Sequence, residues 1–185
     1  AIAQELDKTE VMRNILQTSE LTDTITKIKV KLMQVKDVRG TANRVTESQI
    51  LDDIELFELK AFSLLVVEMR ELLLSANITV VSLPDLEPVV NILDPEKMRI
   101  PHFYVYDAYS PELAALRAKM KTLKMDEKTE ERVLDQLQFE HTELEDQIRE
   151  KLSEQIHPYK KEINEALANT ATLDILLAKA QQTID

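Results

Sequence analysis

The sequence predicts an all-α protein, a helical core from which an antiparallel helical hairpin protrudes. Three observations lead to this prediction. Glycine occurs once among 185 residues, so the turns and bulges that β-sheets need are poorly supplied. Good helix formers, above all Ala, Glu, Lys and Leu, make up much of the chain. Apolar residues recur at helical spacing along most of it, with at most one small β-hairpin near residues 94–107.

Three helices are predicted in the first part of the chain, up to residue 75. Apolar positions at helical spacing indicate helices over residues 3–18 and 21–36, although residues 24–30 alternate as a strand would. Gly40 then suits a helix stop. Residues 47–75 carry apolar side chains on more than one face, so we expect this helix to be the buried rod of the core.

The pattern changes between residues 75 and 110, where four prolines interrupt the chain. We expect a short helix at residues 89–93 and a short strand at residues 100–106, where aromatic and β-branched residues gather. Residues 76–110 are therefore interpreted as a small connector. With it, residues 1–110 form the predicted helical core, or hub.

A helix start follows at Ser110, which suits a helix cap, with Pro111 at the first helical position. A turn near Asp126, which would cap the next helix, precedes a helical pattern that continues to about residue 184. Only Pro158 interrupts that pattern, and it predicts a kink or a break. Residues 127–157 alone would span roughly 45 Å at 1.5 Å per residue. We therefore expect residues 111–185 to form a hairpin that leaves the core and returns to it.

Composition and charge exclude several classes of protein. A net charge of −11 argues against tight nucleic-acid binding by this chain alone, because such affinity depends on Lys and Arg that neutralise phosphates. The absence of cysteine excludes disulfides and thiolate metal sites. There is no apolar run long enough to span a membrane and no signal-peptide pattern, so we expect a cytoplasmic protein without a membrane partner.

No catalytic, cofactor or metal site is predicted. A phosphate-binding loop needs several glycines, and Gly40 alone cannot supply them. Glu154 and His157 have the Glu-x-x-His spacing of helical di-iron sites, but such sites need a second copy of the motif and two further carboxylates. The chain has no second copy, so a solvated helix end is the favoured interpretation over a metal site.

Three other residues with reactive side chains are interpreted as structural. His102 and His141 have no Cys or His neighbours at ligand spacing, which favours surface or partly buried positions over ligands or bases. Ser110 precedes Pro111, which favours a helix cap over a nucleophile.

One stretch of the chain, residues 24–44, is basic, with Asp37 as its single acid. A solvated helix face is the favoured interpretation, and an electrostatic contact with DNA or an acidic partner is the alternative. Residues 126–157 are strongly acidic and are interpreted as a solvated face rather than a partner site. The basic residues of the first stretch are Lys27, Lys29, Lys31, Lys36, Arg39 and Arg44.

Three stretches together resemble the core and lever region of the MutS DNA mismatch-repair family. The first is DIELFELKAF at residues 53–62, similar to a helix of the family's core domain. The second comprises LDP at residues 93–95 and YDAYSPELAALR at residues 106–117, similar to the connector and the start of the outgoing lever helix. The third, residues 144–180, contains IHPY and ends in LDILLAKA, and it is similar to the returning lever helix.

The resemblance is to the branch of the family that lacks the clamp. Full-length members insert a DNA-holding clamp between the two lever helices, whereas here only residues 124–128 separate them. The mismatch-reading Phe-x-Glu module is also absent. This departure removes direct mismatch sensing from what the resemblance implies.

The resemblance implies a non-catalytic core and lever fragment of a MutS-like DNA repair ATPase. ATP and Mg²⁺ would bind to the full-length parent, which would contact DNA and form a homodimer. Pro158 would be a hinge between lever and core. The alternative is a generic helical scaffold, or a docking module that presents an acidic coiled-coil hairpin. A carboxylate-bridged metal bundle is a more distant third.

Overall fold

The computed structural model describes residues 1–185 and contains helices and loops but no β-strand. The predicted all-α class is confirmed. Three short 3₁₀ turns, at Ser19–Leu21, Asp107–Tyr109 and His157–Tyr159, link some of the helices. The eight α-helices are α1 (Ile2–Leu16), α2 (Thr22–Gln34), α3 (Arg39–Thr46), α4 (Asp53–Ser75), α5 (Glu87–Leu93), α6 (Pro111–Met125), α7 (Glu131–Ile156) and α8 (Lys160–Ile184).

Helix α4 is the central rod of the core, as predicted, but it begins at Asp53 rather than near residue 47. Asp52 accepts a hydrogen bond from the backbone N–H of Glu55, and the Glu55 carboxylate accepts one from the N–H of Asp52. This reciprocal pair satisfies two N–H groups at the helix start and fixes where the helix begins. Ten of its residues are buried, which matches a helix with apolar side chains on several faces.

The helix stop predicted at Gly40 is wrong. Helix α2 ends earlier, at Gln34, because the next residue, Val35, is extended. Gly40 instead lies in the first turn of α3, a helix that the apolar pattern did not indicate because it is only eight residues long. The buried side chains of α3 are Thr41, Ala42 and Val45.

The strand predicted over residues 100–106 is also wrong. The segment has no strand partner. Its apolar and aromatic residues serve to cover the core, since Phe103, Val105 and Tyr106 are buried members of the hydrophobic core cluster. Burial of these side chains accounts for the β-like composition that the sequence shows.

The first and last helices, α1 and α8, pack against each other at one side of the core. Helix α8 packs against α1, α2 and α3, while α4 packs against α2, α3 and α5. Residues buried at a spacing of three or four along α8 supply the inner face of this last layer. They are Ile163, Ala166, Thr170, Leu173, Leu176, Leu177 and Ala180.

Residues 114–143 form a helical hairpin, here called the arm, made of most of α6 and the first half of α7. Helix α6 packs against α7 and the preceding 3₁₀ turn. Met120 and Leu137 are buried within the arm but do not belong to the core cluster. Leu113 and Ile148, which flank the arm, do belong to it. The arm therefore has a small apolar seam of its own and meets the core only at its base.

Candidate functional site at the arm root

A bidentate ion pair joins α7 to α4 at the base of the arm, which is here called the arm root. Arg149 of α7 donates from Nε to Oδ1 of Asp53 at 2.7 Å and from Nη2 to Oδ2 at 3.1 Å. Arg149 also donates a third hydrogen bond, from Nη1 to Asp146. The hydrogen bonds that Arg149 donates to Asp53 are the main cause that raises the pKa of Arg149. A planar guanidinium held at two points fixes orientation as well as distance.

A second set of ionic contacts links α6 to α7 at the same level. Arg117 donates from Nη1 to Asp107 at 2.7 Å and from Nε to Nε2 of His141 at 3.0 Å. Nδ1 of the same His141 ring lies 3.1 Å from Oε1 of Glu145. Glu145 Oε2 lies 3.5 Å from Arg149 Nη2, so both sets form one network across α6, α7 and α4.

A buried lysine of α4 forms hydrogen bonds and an ion pair with residues of the connector. Lys60 is fully buried, and its Nζ donates to the backbone oxygen of His102 at 2.7 Å and to Oη of Tyr106 at 3.0 Å. Oδ1 of Asp94, itself 4% exposed, lies 3.4 Å away and supplies the counter-charge. The ring of Tyr106 lies 5.1 Å from Nζ, within the range of a cation–π contact.

The partners of Lys60 are themselves held in place. Asp94 accepts hydrogen bonds from the backbone N–H groups of Met98 and Arg99. Tyr109, next to this cluster, donates to the backbone oxygen of Ile92 at 2.7 Å. The pKa of Tyr109 is raised above its usual value, mainly because the hydroxyl is buried and to a smaller extent because Tyr106 and Asp94 lie nearby. The segment that leads into the arm is therefore fixed on its core side by satisfied buried polar groups.

The structure interrupts the last long helix at Pro158, where the 3₁₀ turn separates α7 from α8. His157 lies against the last turn of α3 and the loop that follows, with Nδ1 2.8 Å from the backbone oxygen of Val45 and 3.1 Å from Oγ of Ser48. Ser153 accepts a hydrogen bond from the N–H of Leu51 in the same loop. The 3₁₀ turn between α7 and α8 therefore packs against the core. Movement about Pro158 stays a prediction.

The six basic residues predicted as a contact surface are mostly neutralised within the chain. Lys27 pairs with Asp23, Lys31 with Glu68, Arg39 with Asp37 and Arg44 with Glu55. Lys29 donates to the side-chain oxygen of Gln181 in α8. Lys36 lines a cleft of about 340 Å³ between the end of α2 and α4. These residues contact different neighbours, and a contact with DNA or an acidic partner through them stays a prediction.

Asp37 gives the clearest dependence on pH. Hydrogen bonds from the Arg39 side chain and backbone lower its pKa from 3.8 to about 2. Because the folded-state pKa is lowered, this contact favours the folded state above pH 4 and is lost as the pH falls towards 2. We expect NMR titration of Asp37 to give a midpoint near 2 in the native protein and a higher one, still below 3.8, in Arg39→Ala, because alanine removes the side-chain hydrogen bond but keeps the backbone N–H that also lowers the pKa. A midpoint unchanged by the substitution would rule out Arg39 as the cause.

The chain has no group of three His, Asp or Glu side chains that could hold a metal ion. None of its helices combines the length and the apolar character needed to cross a membrane. His102 has an exposed ring, whereas His141 and His157 take part in the contacts described above. Ser110 caps α6 by accepting a hydrogen bond from the N–H of Leu113 at 3.2 Å.

Comparisons of the sequence with models of known protein families and with curated proteins found no match.

The ion pairs of the arm root and of the connector were not predicted from the sequence. One signal was present for Lys60, since it lies four residues after Leu56 and three before Ser63, both on the buried part of α4. A lysine at helical spacing among buried positions predicts a buried charge that needs a partner. No comparable signal marks Arg117 or Arg149, which lie among many other charged residues.

Proposed function

We propose that this chain is the core and lever part of a MutS-like DNA repair ATPase, and that it transmits movement rather than performing chemistry. The observation that carries the proposal is the arm root. A hairpin with its own seam is attached to α4 by Arg149 and Asp53, and the connector before it is attached by Lys60. An arm fixed at its base in this way moves with the core as a unit. In the parent, ATP and Mg²⁺ would bind outside this chain, and the protein would act as a dimer on DNA.

The proposal is tested first by the coding frame beyond Asp185. We expect it to encode a glycine-rich phosphate-binding loop within about one domain length. A frame without such a loop would exclude the ATPase parent.

The second test measures coupling in the full-length protein. We expect Arg149→Met to reduce the stimulation of ATP hydrolysis by DNA several-fold while basal hydrolysis stays unchanged, because the substitution frees the arm from α4 without touching the nucleotide site. Lys151→Met is the matched control, since Lys151 is exposed on the same helix and forms no ion pair. Equal stimulation in both variants would contradict a coupling role for the arm root.

A docking module is the second candidate function. Phe139 is 60% exposed on the outer face of α7, and acidic residues surround it, including Asp135 and Glu143 at one helical turn on either side. Exposed aromatic rings are enriched at partner surfaces. A partner that binds the arm in the absence of nucleotide and DNA would favour this alternative.

A further inference from the structure

One strip of the central helix α4 is left open by the elements that pack against it. Phe57, Ala61 and Leu65 are partly buried, and their spacing of four residues places them on one side of the helix. Helix α2 ends at Gln34, and the linker that follows it does not close over this strip. The strip lines the cleft of about 340 Å³ that also contains Lys36, here called the α4 cleft.

Most of the surface of the α4 cleft is apolar. Phe57 and Phe62, two of the four phenylalanines of the chain, line it together with the buried side chains of Val38 and Leu64. A cavity of about 490 Å³ between α2 and α8 is larger, but no aromatic residue lines it. Ligand sites are typically concave and mostly apolar, with a few polar groups and a volume of about 300 to 1,000 Å³. The α4 cleft has each of these properties.

The charged side chains that line the α4 cleft are balanced in number. Glu68 already pairs with Lys31, which lies outside the cleft. Arg99 already pairs with Glu87, which also lies outside it. An anion attracted by the basic residues is repelled by the acidic ones, and the reverse holds for a cation. The cleft therefore favours a ligand without net charge. Its charged lining residues are Lys36, Glu58, Glu68 and Arg99.

We propose that the α4 cleft binds an uncharged aromatic small molecule. Burial of the ligand's apolar surface supplies the affinity, and Phe57 and Phe62 offer rings against which an aromatic ligand packs. The side-chain amide of Gln34 is a hydrogen-bonding group at the same cleft. The inference goes beyond the proposed function and does not depend on it.

A bound molecule would contact three segments that are far apart in sequence. Val38 belongs to the linker after α2, Ala61 to α4, and Arg99 and Pro101 to the connector that leads to the arm. A ligand that binds only the folded arrangement of these segments stabilises it by mass action. The cleft is thus a place where a small molecule would strengthen the packing of the connector on the core.

The test uses two fluorescent dyes with the same ring system. Phenylnaphthylamine is uncharged, and anilinonaphthalene sulfonate carries one negative charge. We expect the uncharged dye to bind the native chain saturably, with a rise in fluorescence. It should bind about fivefold or more tightly than the sulfonated dye, because the acidic residues of the cleft repel the sulfonate.

A substitution that fills the cleft locates the binding. We expect Ala61→Phe to weaken binding of the uncharged dye about tenfold or more, because the new ring occupies the space of the ligand. The matched control is Ala168→Phe, the same change at an exposed residue that lines the cavity between α2 and α8. We expect the control to change binding less than about twofold. Circular dichroism of both variants checks that the helices are intact.

NMR of the unaltered chain gives a second measurement that does not depend on a substitution. We expect the dye to shift the amide signals of residues 34–38, 57–68 and 99–101 most strongly. The site is excluded by any of four results: no saturable binding, tighter binding of the sulfonated dye, equal loss in both variants, or shifts centred on other residues. The coupling measurement with Arg149→Met does not involve the α4 cleft, so failure of this inference leaves the proposed function standing.

Discussion

Replacement of Lys60 by methionine is expected to lower the free energy of unfolding by about 3 to 5 kcal/mol. The methionine fills most of the lysine's volume, but Asp94 then stays buried without a counter-charge. The backbone oxygen of His102 also loses its lysine donor, although Tyr106 still donates to it. A loss of this size is a large fraction of the stability of an ordinary domain.

Urea denaturation measures the effect, and Lys151→Met is the control for the same chemical change on the surface. We expect the control to stay within about 0.5 kcal/mol of the unaltered protein. A second variant, Lys60→Met/Asp94→Asn, removes both charges, and the asparagine oxygen can still accept from one of the two loop N–H groups. It should regain part of the loss. A loss below about 1 kcal/mol in Lys60→Met, or no recovery in the double variant, would contradict the assigned pair.

Replacement of Leu113 by alanine is expected to cost about 2 to 5 kcal/mol, because the side chain is fully buried and a cavity remains where it was. Leu113 lies in the first turn of α6 and belongs to the core cluster, so its loss loosens the arm root as well. The free energy of unfolding is again measured in urea.

Met120→Ala is the matched comparison inside the arm. Met120 is also buried but lies outside the core cluster. We expect a smaller loss of global stability, below about 2 kcal/mol, together with faster amide hydrogen exchange confined to residues 114–143. Equal global losses from both substitutions would mean that arm and core unfold as one unit.

Regular helices were predictable from the sequence because each depends on a local pattern. Ser110 and Pro111 located the start of α6 correctly, since capping uses groups a few residues apart. The apolar run of α4 and the break at Pro158 were located for the same reason. Asp126 was predicted as the next helix cap, but Glu130 takes that position and Asp126 instead accepts from the N–H of Lys128 within the turn.

The remaining features depend on residues that are far apart in sequence. Residues 100–106 have the composition of a strand, but without a second extended segment their alternate side chains cover the core instead. Lys60 and Asp94 are 34 positions apart, and the pairing becomes visible only when α4 and the connector are together. The pairing of Arg149 with Asp53 is also visible only in the folded chain, since no local sequence pattern predicts which of the many carboxylates Arg149 contacts.

The packing of α1 against α8 also determines the order in which the chain is able to fold. During synthesis α1 emerges long before α8, the helix that covers its buried side. The buried side of α1 therefore stays without its native cover until α8 has been made. The arm, in contrast, can form early, because α6 and α7 are neighbours in sequence and the short loop between them closes quickly. A nascent chain would thus carry a finished hairpin on an unfinished core.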